Sequence, residues 1–122
     1  MTTTTDITRA RNALLELHRR LLAAQRIQTE RSDGRMSANE LLQAAVADPR
    51  FGWLTRLSEL ITRLDGARAE ADTTAIDAAL AEARELLTAP DPSTAFGARY
   101  LQTLQDHPDV VFAHRDATAA LA

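Results

Sequence analysis

A histidine, a serine and a carboxylate stand in this chain at spacings that would let them do chemistry together. His18 and Gln25 lie seven residues apart on one apolar stripe, and Ser58 and Asp65 lie seven apart along the edge of another. A His with a Ser and a carboxylate suggests nucleophilic hydrolysis, in which the imidazole takes the hydroxyl proton and the acid orients the ring. The setting argues against that chemistry. A nucleophilic Ser sits on a strained turn beside oxyanion donors, whereas a mid-helix Ser58 has neighbouring backbone N–H groups that are already bonded. Two readings of the four residues remain. They line a polar pocket for a small ligand, or His18 and Gln25 satisfy hydrogen bonds between helices, as buried polar groups do. The second carries more weight.

Metal chemistry has less support. Carboxylate metal bundles need Glu-x-x-His pairs that point two ligands into the core one turn apart, and the chain contains neither that pattern nor His-x-x-x-His. His107 and His114 are seven apart, but Pro108 breaks the helical register between them. With Cys absent there is no thiolate ligand, thiol nucleophile or disulfide framework. No metal and no cofactor are expected.

Surface residues suggest association instead. Ile27 stands among the arginines on the outer side of a long first helix, with Arg20 and Arg26 nearby, and Trp53 falls at the edge of its stripe. Aromatic residues and Arg are enriched where chains meet, so Arg20, Arg26, Ile27 and Trp53 are the candidate interface residues.

The elements that position these side chains can be read from spacing. Asp6 is a good N-cap for a first helix that runs to about Arg31 and stops at Ser32-Asp33-Gly34. At about 100° per residue, Ile7, Ala10, Leu14, Leu17, Leu21 and Ala24 form its buried stripe. Ser37-Ala38-Asn39-Glu40 is a capping box for a short second helix carrying Leu41, Leu42, Ala45 and Val46. Asp48-Pro49 opens the central helix, whose apolar face is Trp53, Leu54, Leu57, Leu60, Ile61 and Leu64, with Gly66 as its stop. Thr73 or Thr74 caps a fourth helix built on Ile76, Leu80, Ala83 and Leu87. After the break at Ala89-Pro90-Asp91-Pro92-Ser93 come a fifth helix with Phe96, Tyr100, Leu101 and Leu104, a bend at His107-Pro108, and a last helix with Val110, Val111, His114, Ala117 and Leu121. No stretch alternates like a strand. The expectation is an all-α fold, a four-helix-type bundle with a short bridging helix and a bent C-terminal helix pair. Residues 1–5 form a disordered lead and residues 6–122 a single domain.

Composition bounds the function. A chain of 122 residues buries roughly two-thirds of its unfolded surface, enough for one core. All 14 basic residues are Arg, and the net charge of −3 divides into +3 over residues 1–35 and −6 over the rest. That excess is too small, and aromatics at 4% too few, to expect a nucleic-acid partner. No run approaches the roughly 18 apolar residues of a membrane span, and the N-terminus has no apolar signal core. A cytosolic protein without a membrane partner is expected.

The stretches ELLQAAVADPRFGWLTRLSELITRLD, from Glu40, and YLQTLQDHPDVVFAHRDA, from Tyr100, resemble those of an uncharacterised family of short all-helical bacterial proteins. The resemblance implies a helical fold and no function. The leading expectation is therefore a non-enzymatic bundle acting through protein association, as a homo-oligomer or with a protein partner. A small-ligand bundle at His18, Gln25, Ser58 and Asp65 is the alternative, and a hydrolase comes third.

Overall fold

The computed structural model describes residues 3–122. Six α-helices and one 3-10 helix follow one another as α1 (Thr4–Asp33), α2 (Ala38–Ala47), the 3-10 helix (Pro49–Leu54), α3 (Thr55–Ala69), α4 (Thr73–Thr88), α5 (Ala95–Asp106) and α6 (Pro108–Leu121). The described residues contain no strand.

Four helices make the bundle. α1 packs against α3 and α6, and α4 packs against the same two, so the order around the ring is α1, α3, α4, α6. Side-chain bonds fix the directions. Arg68 reaches Thr8, Arg11 reaches Asp65 and Trp53 reaches Gln25. Rising numbers in α1 meet falling numbers in α3, so the two helices run antiparallel. Arg20 lies 3.8 Å from Asp109 near the start of α6, while Asp6, Arg9 and the end of α6 line one cleft. α6 therefore also runs against α1. The core is Leu14, Leu17 and Leu21 of α1, Leu57, Leu60 and Leu64 of α3, Leu87 of α4 and Val110 of α6, closed at one end by Phe51 and Tyr100.

The local chemistry corrects four sequence expectations. α1 begins before Asp6, because Thr3 is the N-cap and Asp6 occupies the third helical position, the two closing a capping box. Thr4 and Thr5 are thus helical rather than part of a disordered lead, while Met1 and Thr2 lie outside the described residues. The bond to the Thr3 backbone N–H, ahead of other causes, lowers the Asp6 pKa. The central helix is not continuous from Asp48. Phe51 and Trp53 would point about 200° apart on an α-helix, and burying both requires the tighter 3-10 turn and a change of axis, eased by Gly52 as a poor helix former.

Gly66 does not stop α3. The helix ends at Ala69 in a Schellman arrangement, with Asp72 N–H donating to the Ala67 carbonyl at 2.9 Å and Ala71 N–H to the Arg68 carbonyl at 3.1 Å. That geometry places Ala71 in the left-handed region at φ 53°, where Gly would carry no Cβ penalty. Asp72, rather than Thr73 or Thr74, then caps α4.

α2 keeps its capping box, with Ser37 and Glu40 bonded reciprocally. It packs mainly on the 3-10 helix. Leu41 and Ala44 turn inward and are half-buried, while Leu42, Ala45 and Val46 are exposed.

Candidate functional site

Of the four residues singled out by spacing, Gln25, Ser58 and Asp65 each take hydrogen-bond partners outside the group. Ser58 donates its hydroxyl to the Thr55 carbonyl at 3.1 Å and the Leu54 carbonyl at 3.4 Å, within its own helical turn. Asp65 holds Arg11 through both oxygens, at 3.1 and 3.2 Å. The antiparallel register does bring Ser58 to the depth of His18, but no hydrogen bond joins them. His18 is half-buried, and that burial lowers its pKa and favours the neutral ring. With the Ser hydroxyl spent on backbone and the carboxylate spent on Arg11, the arrangement contains no relay from acid to base to nucleophile.

Gln25 has a different setting. It is only 3% exposed, and its Oε1 accepts from the Trp53 indole N–H at 2.9 Å and from the Arg99 guanidinium at 3.1 Å. Its amide donates to Thr29 Oγ1 at 3.1 Å. The amide thus ties α1 to the 3-10 helix and α5. Trp53, expected at an interface, is 6% exposed and belongs to this tie, because its indole N–H needs a partner inside the protein.

From Trp53 a line of rings runs inward. Phe96 lies 5.9 Å away, Tyr100 stacks on Phe96 at 5.0 Å, and His114 follows at 5.6 Å. The Tyr100 hydroxyl meets His114 Nδ1 at 2.5 Å. Burial raises the phenol pKa and lowers that of the imidazole. Both shifts favour the uncharged forms, so a neutral phenol and a neutral imidazole share this hydrogen bond.

The remaining interface candidates divide. Arg20 bonds Glu16 one turn away at 2.9 Å and faces Asp109, so it links α1 to α6. Arg26 donates to the Met36 carbonyl at 2.6 Å while Glu30 accepts from the Met36 N–H at 2.8 Å, and together they hold the loop between α1 and α2. Ile27 is exposed beside that tether.

Several clefts open on the described residues, and three of them adjoin the charged and aromatic side chains above. One of about 680 Å³, near the start of α1, mixes Asp6, Asp77 and Glu85 with Arg9 and Arg84. A second of about 540 Å³ has Trp53 and Phe96 with Arg56 bonded to Glu82. The third, of about 610 Å³, lies between α1, the 3-10 helix and the start of α5. Arg31, Arg50 and Arg99 line it with Gln25 and Trp53, and no carboxylate does. None of the three is lined by His18, Ser58 or Asp65.

Sequence reasoning passed over Arg99 and the Tyr100 to His114 bond. A signal was present, since Phe96, Arg99, Tyr100 and Thr103 follow three- and four-residue spacing and so share one face of α5. Among the described residues no cluster of three or more His, Cys, Asp or Glu could hold a metal ion, and no helix is long and apolar enough to cross a membrane. Comparison with protein-family models, curated proteins and solved structures finds no match.

Proposed function

We propose that the protein is a non-enzymatic, cytosolic helical bundle that works through association, first with a second copy of itself, and that the outer face of α2 is the contact. One observation carries the reading. Seven of the ten residues of α2 are apolar and none is buried, with Leu42 65% and Val46 83% exposed. Leaving such a helix in water forfeits roughly 1.5 to 3 kcal/mol per large side chain that a partner would cover.

The chemistry of this face favours a like partner. Glu40 is the helix's only charged residue and is spent on the Ser37 cap. Two copies of Ala38, Leu42, Ala45 and Val46, flanked by Asn39 and Gln43, meet across a two-fold axis without burying a charge, and the alanines allow close approach. Leu42 and Val46 lie one helical turn apart, so an antiparallel pair sets Leu42 of one copy against Val46 of the other. The other exposed large apolar side chains are less suited: Ile27 on α1 stands beside Arg26, and on α6 Phe112, next to Val111, has the Arg115 guanidinium 5.3 Å from its ring centre.

Size-exclusion chromatography with light scattering tests the proposal. The native chain should give twice 13.4 kDa, and Leu42→Glu with Val46→Glu should give the monomer with an unchanged helical circular dichroism spectrum. A native chain that stays monomeric at the highest soluble concentration, or a double variant that still dimerises, would refute it.

A further inference from the structure

A second, independent feature concerns the cleft of about 610 Å³ over Trp53. Its three cations differ in what balances them. Arg50 is neutralised, its Nη2 lying 2.7 Å from a carboxylate oxygen of both Asp33 and Asp48. Arg99 has no carboxylate partner among the described residues. It donates to the neutral amide oxygen of Gln25 and lies 6.0 Å from the Trp53 ring centre. Arg31, near the end of α1, likewise has no ion-pair partner among the described residues, although seven other arginines of the chain do.

The cleft therefore holds two uncompensated guanidinium groups and no lining acid, in a protein whose net charge is −3. Arg99 is the better placed of the two. It is half-buried, so its charge is less screened than one in open water. The Gln25 bond and the indole hold its plane, and a guanidinium has five N–H donors of which Gln25 takes one. A planar fork fixed in this way and facing a cleft is suited to a carboxylate or a phosphate.

We propose that this cleft is a binding site for a small organic anion, with Arg99 gripping the carboxylate or phosphate, Arg31 closing on it from α1, and Trp53 with Pro49 forming the apolar wall beside it. The site does not depend on association through α2, whose exposed residues lie outside the cleft. Trp53, the only tryptophan, reports occupancy because its indole N–H shares the Gln25 oxygen with Arg99.

The test is a titration followed at the Trp53 indole N–H resonance of the full chain. Citrate serves as the carboxylate probe, glycerol 3-phosphate as the phosphate probe and glycerol as the neutral control, all at constant ionic strength. A saturable shift with citrate or glycerol 3-phosphate, and none with glycerol, is expected, and the stronger of the two identifies the anion class. Arg31→Gln breaks no side-chain hydrogen bond or ion pair among the described residues and should weaken binding by about tenfold, the range of one charge-assisted hydrogen bond. Arg99→Gln should abolish the shift, whereas Arg84→Gln, which lies in another cleft, should leave it unaltered. The proposal is overturned if neither anion gives a saturable shift in the native chain, or if Arg31→Gln binds as well as the native chain.

Discussion

Replacing Gln25 with Leu isolates the bond that ties α1 to the rest of the site. The two side chains are close in volume, so the change removes polar partners without opening a cavity. The Trp53 indole N–H loses its acceptor at a position only 6% exposed, and an orphaned buried donor costs about 1 to 3 kcal/mol. Arg99 is half-buried and turns toward solvent at little cost. Thr29 Oγ1 loses the Gln25 amide as a donor, but its hydroxyl can still donate to a carbonyl of its own helix, as helical Thr hydroxyls do. The expected loss is therefore about 2 kcal/mol, from the indole alone. For a chain of this length that lowers Tm by roughly 5 to 10 °C. Urea unfolding followed by circular dichroism measures it. A second substitution sharpens the argument. Trp53→Phe removes the stranded donor, so once Gln25→Leu is in place, adding Trp53→Phe should cost much less than Trp53→Phe does in the native chain. The coupling in that cycle should be on the order of 1 kcal/mol. Gln25→Leu within about 0.5 kcal/mol of native stability, the usual scatter of harmless substitutions, would refute the reasoning. Strict additivity in the cycle would refute it as well.

Further expectations follow from the same geometry. Leu57, with no exposed surface at the centre of α3, should cost roughly 2 to 5 kcal/mol when replaced by Ala, as measured by denaturant unfolding. Gly66→Ala should stabilise by about 0.5 to 1 kcal/mol, because nothing lies within 4 Å of the added Cβ; Ala71→Gly should also stabilise by relieving the positive φ, and thermal melts of the two variants and their combination check both. Gly97→Ala should instead disrupt the turn before α5, because its Cβ would meet the Asp91 carbonyl oxygen at 1.8 Å, and a Tm within about 2 °C of native would contradict this. Stability should also depend on pH in two windows. Burial lowers the pKa of His18 and His114 below the ordinary 6.5, so in the acidic range the unfolded chain binds more protons; the contribution is complete above 6.5 and is lost as pH falls through the lowered values. Asp33 and Asp48, held below 3.8 by hydrogen bonds from Arg50, lose theirs only at lower pH. His18→Leu should reduce the slope in the upper window of a pH series of urea midpoints, leaving the share of His114, and leave the lower window in place.

The helices were legible because their signals are local. Capping at Ser37, the leucine stripe of α1 and the break at Pro90 each follow from side-chain types within a few residues. Boundaries shifted where tertiary packing overrode a local preference. Gly66 is a plausible stop by propensity, but α3 must extend past it so that Ala67 reaches the core. The segment from Pro49 to Leu54 reads as α-helix until both Phe51 and Trp53 have to be buried. At the site, spacing correctly placed Gln25 inside a stripe but carried no information about Trp53 and Arg99, the donors to its oxygen, which come from 28 and 74 residues away. Ser58 and Asp65 share an edge as expected, yet each finds its partner elsewhere, Ser58 in its own turn and Asp65 on Arg11. By sequence α2 is a short bridge carrying Leu41, Leu42, Ala45 and Val46. That Leu42, Ala45 and Val46 form an outer apolar side becomes meaningful only once the fold leaves that side in water.

Mixed-isotope NMR addresses the central claim, association through α2, most directly. One copy of the chain is labelled with carbon-13 at Leu and Val methyls and mixed with an unlabelled copy, and only contacts between copies are recorded. The account predicts intermolecular contacts between the Leu42 and Val46 methyls, with none at Val111 or Phe112. Intermolecular contacts confined to α6, or none at all in a sample of monomer mass, would contradict it.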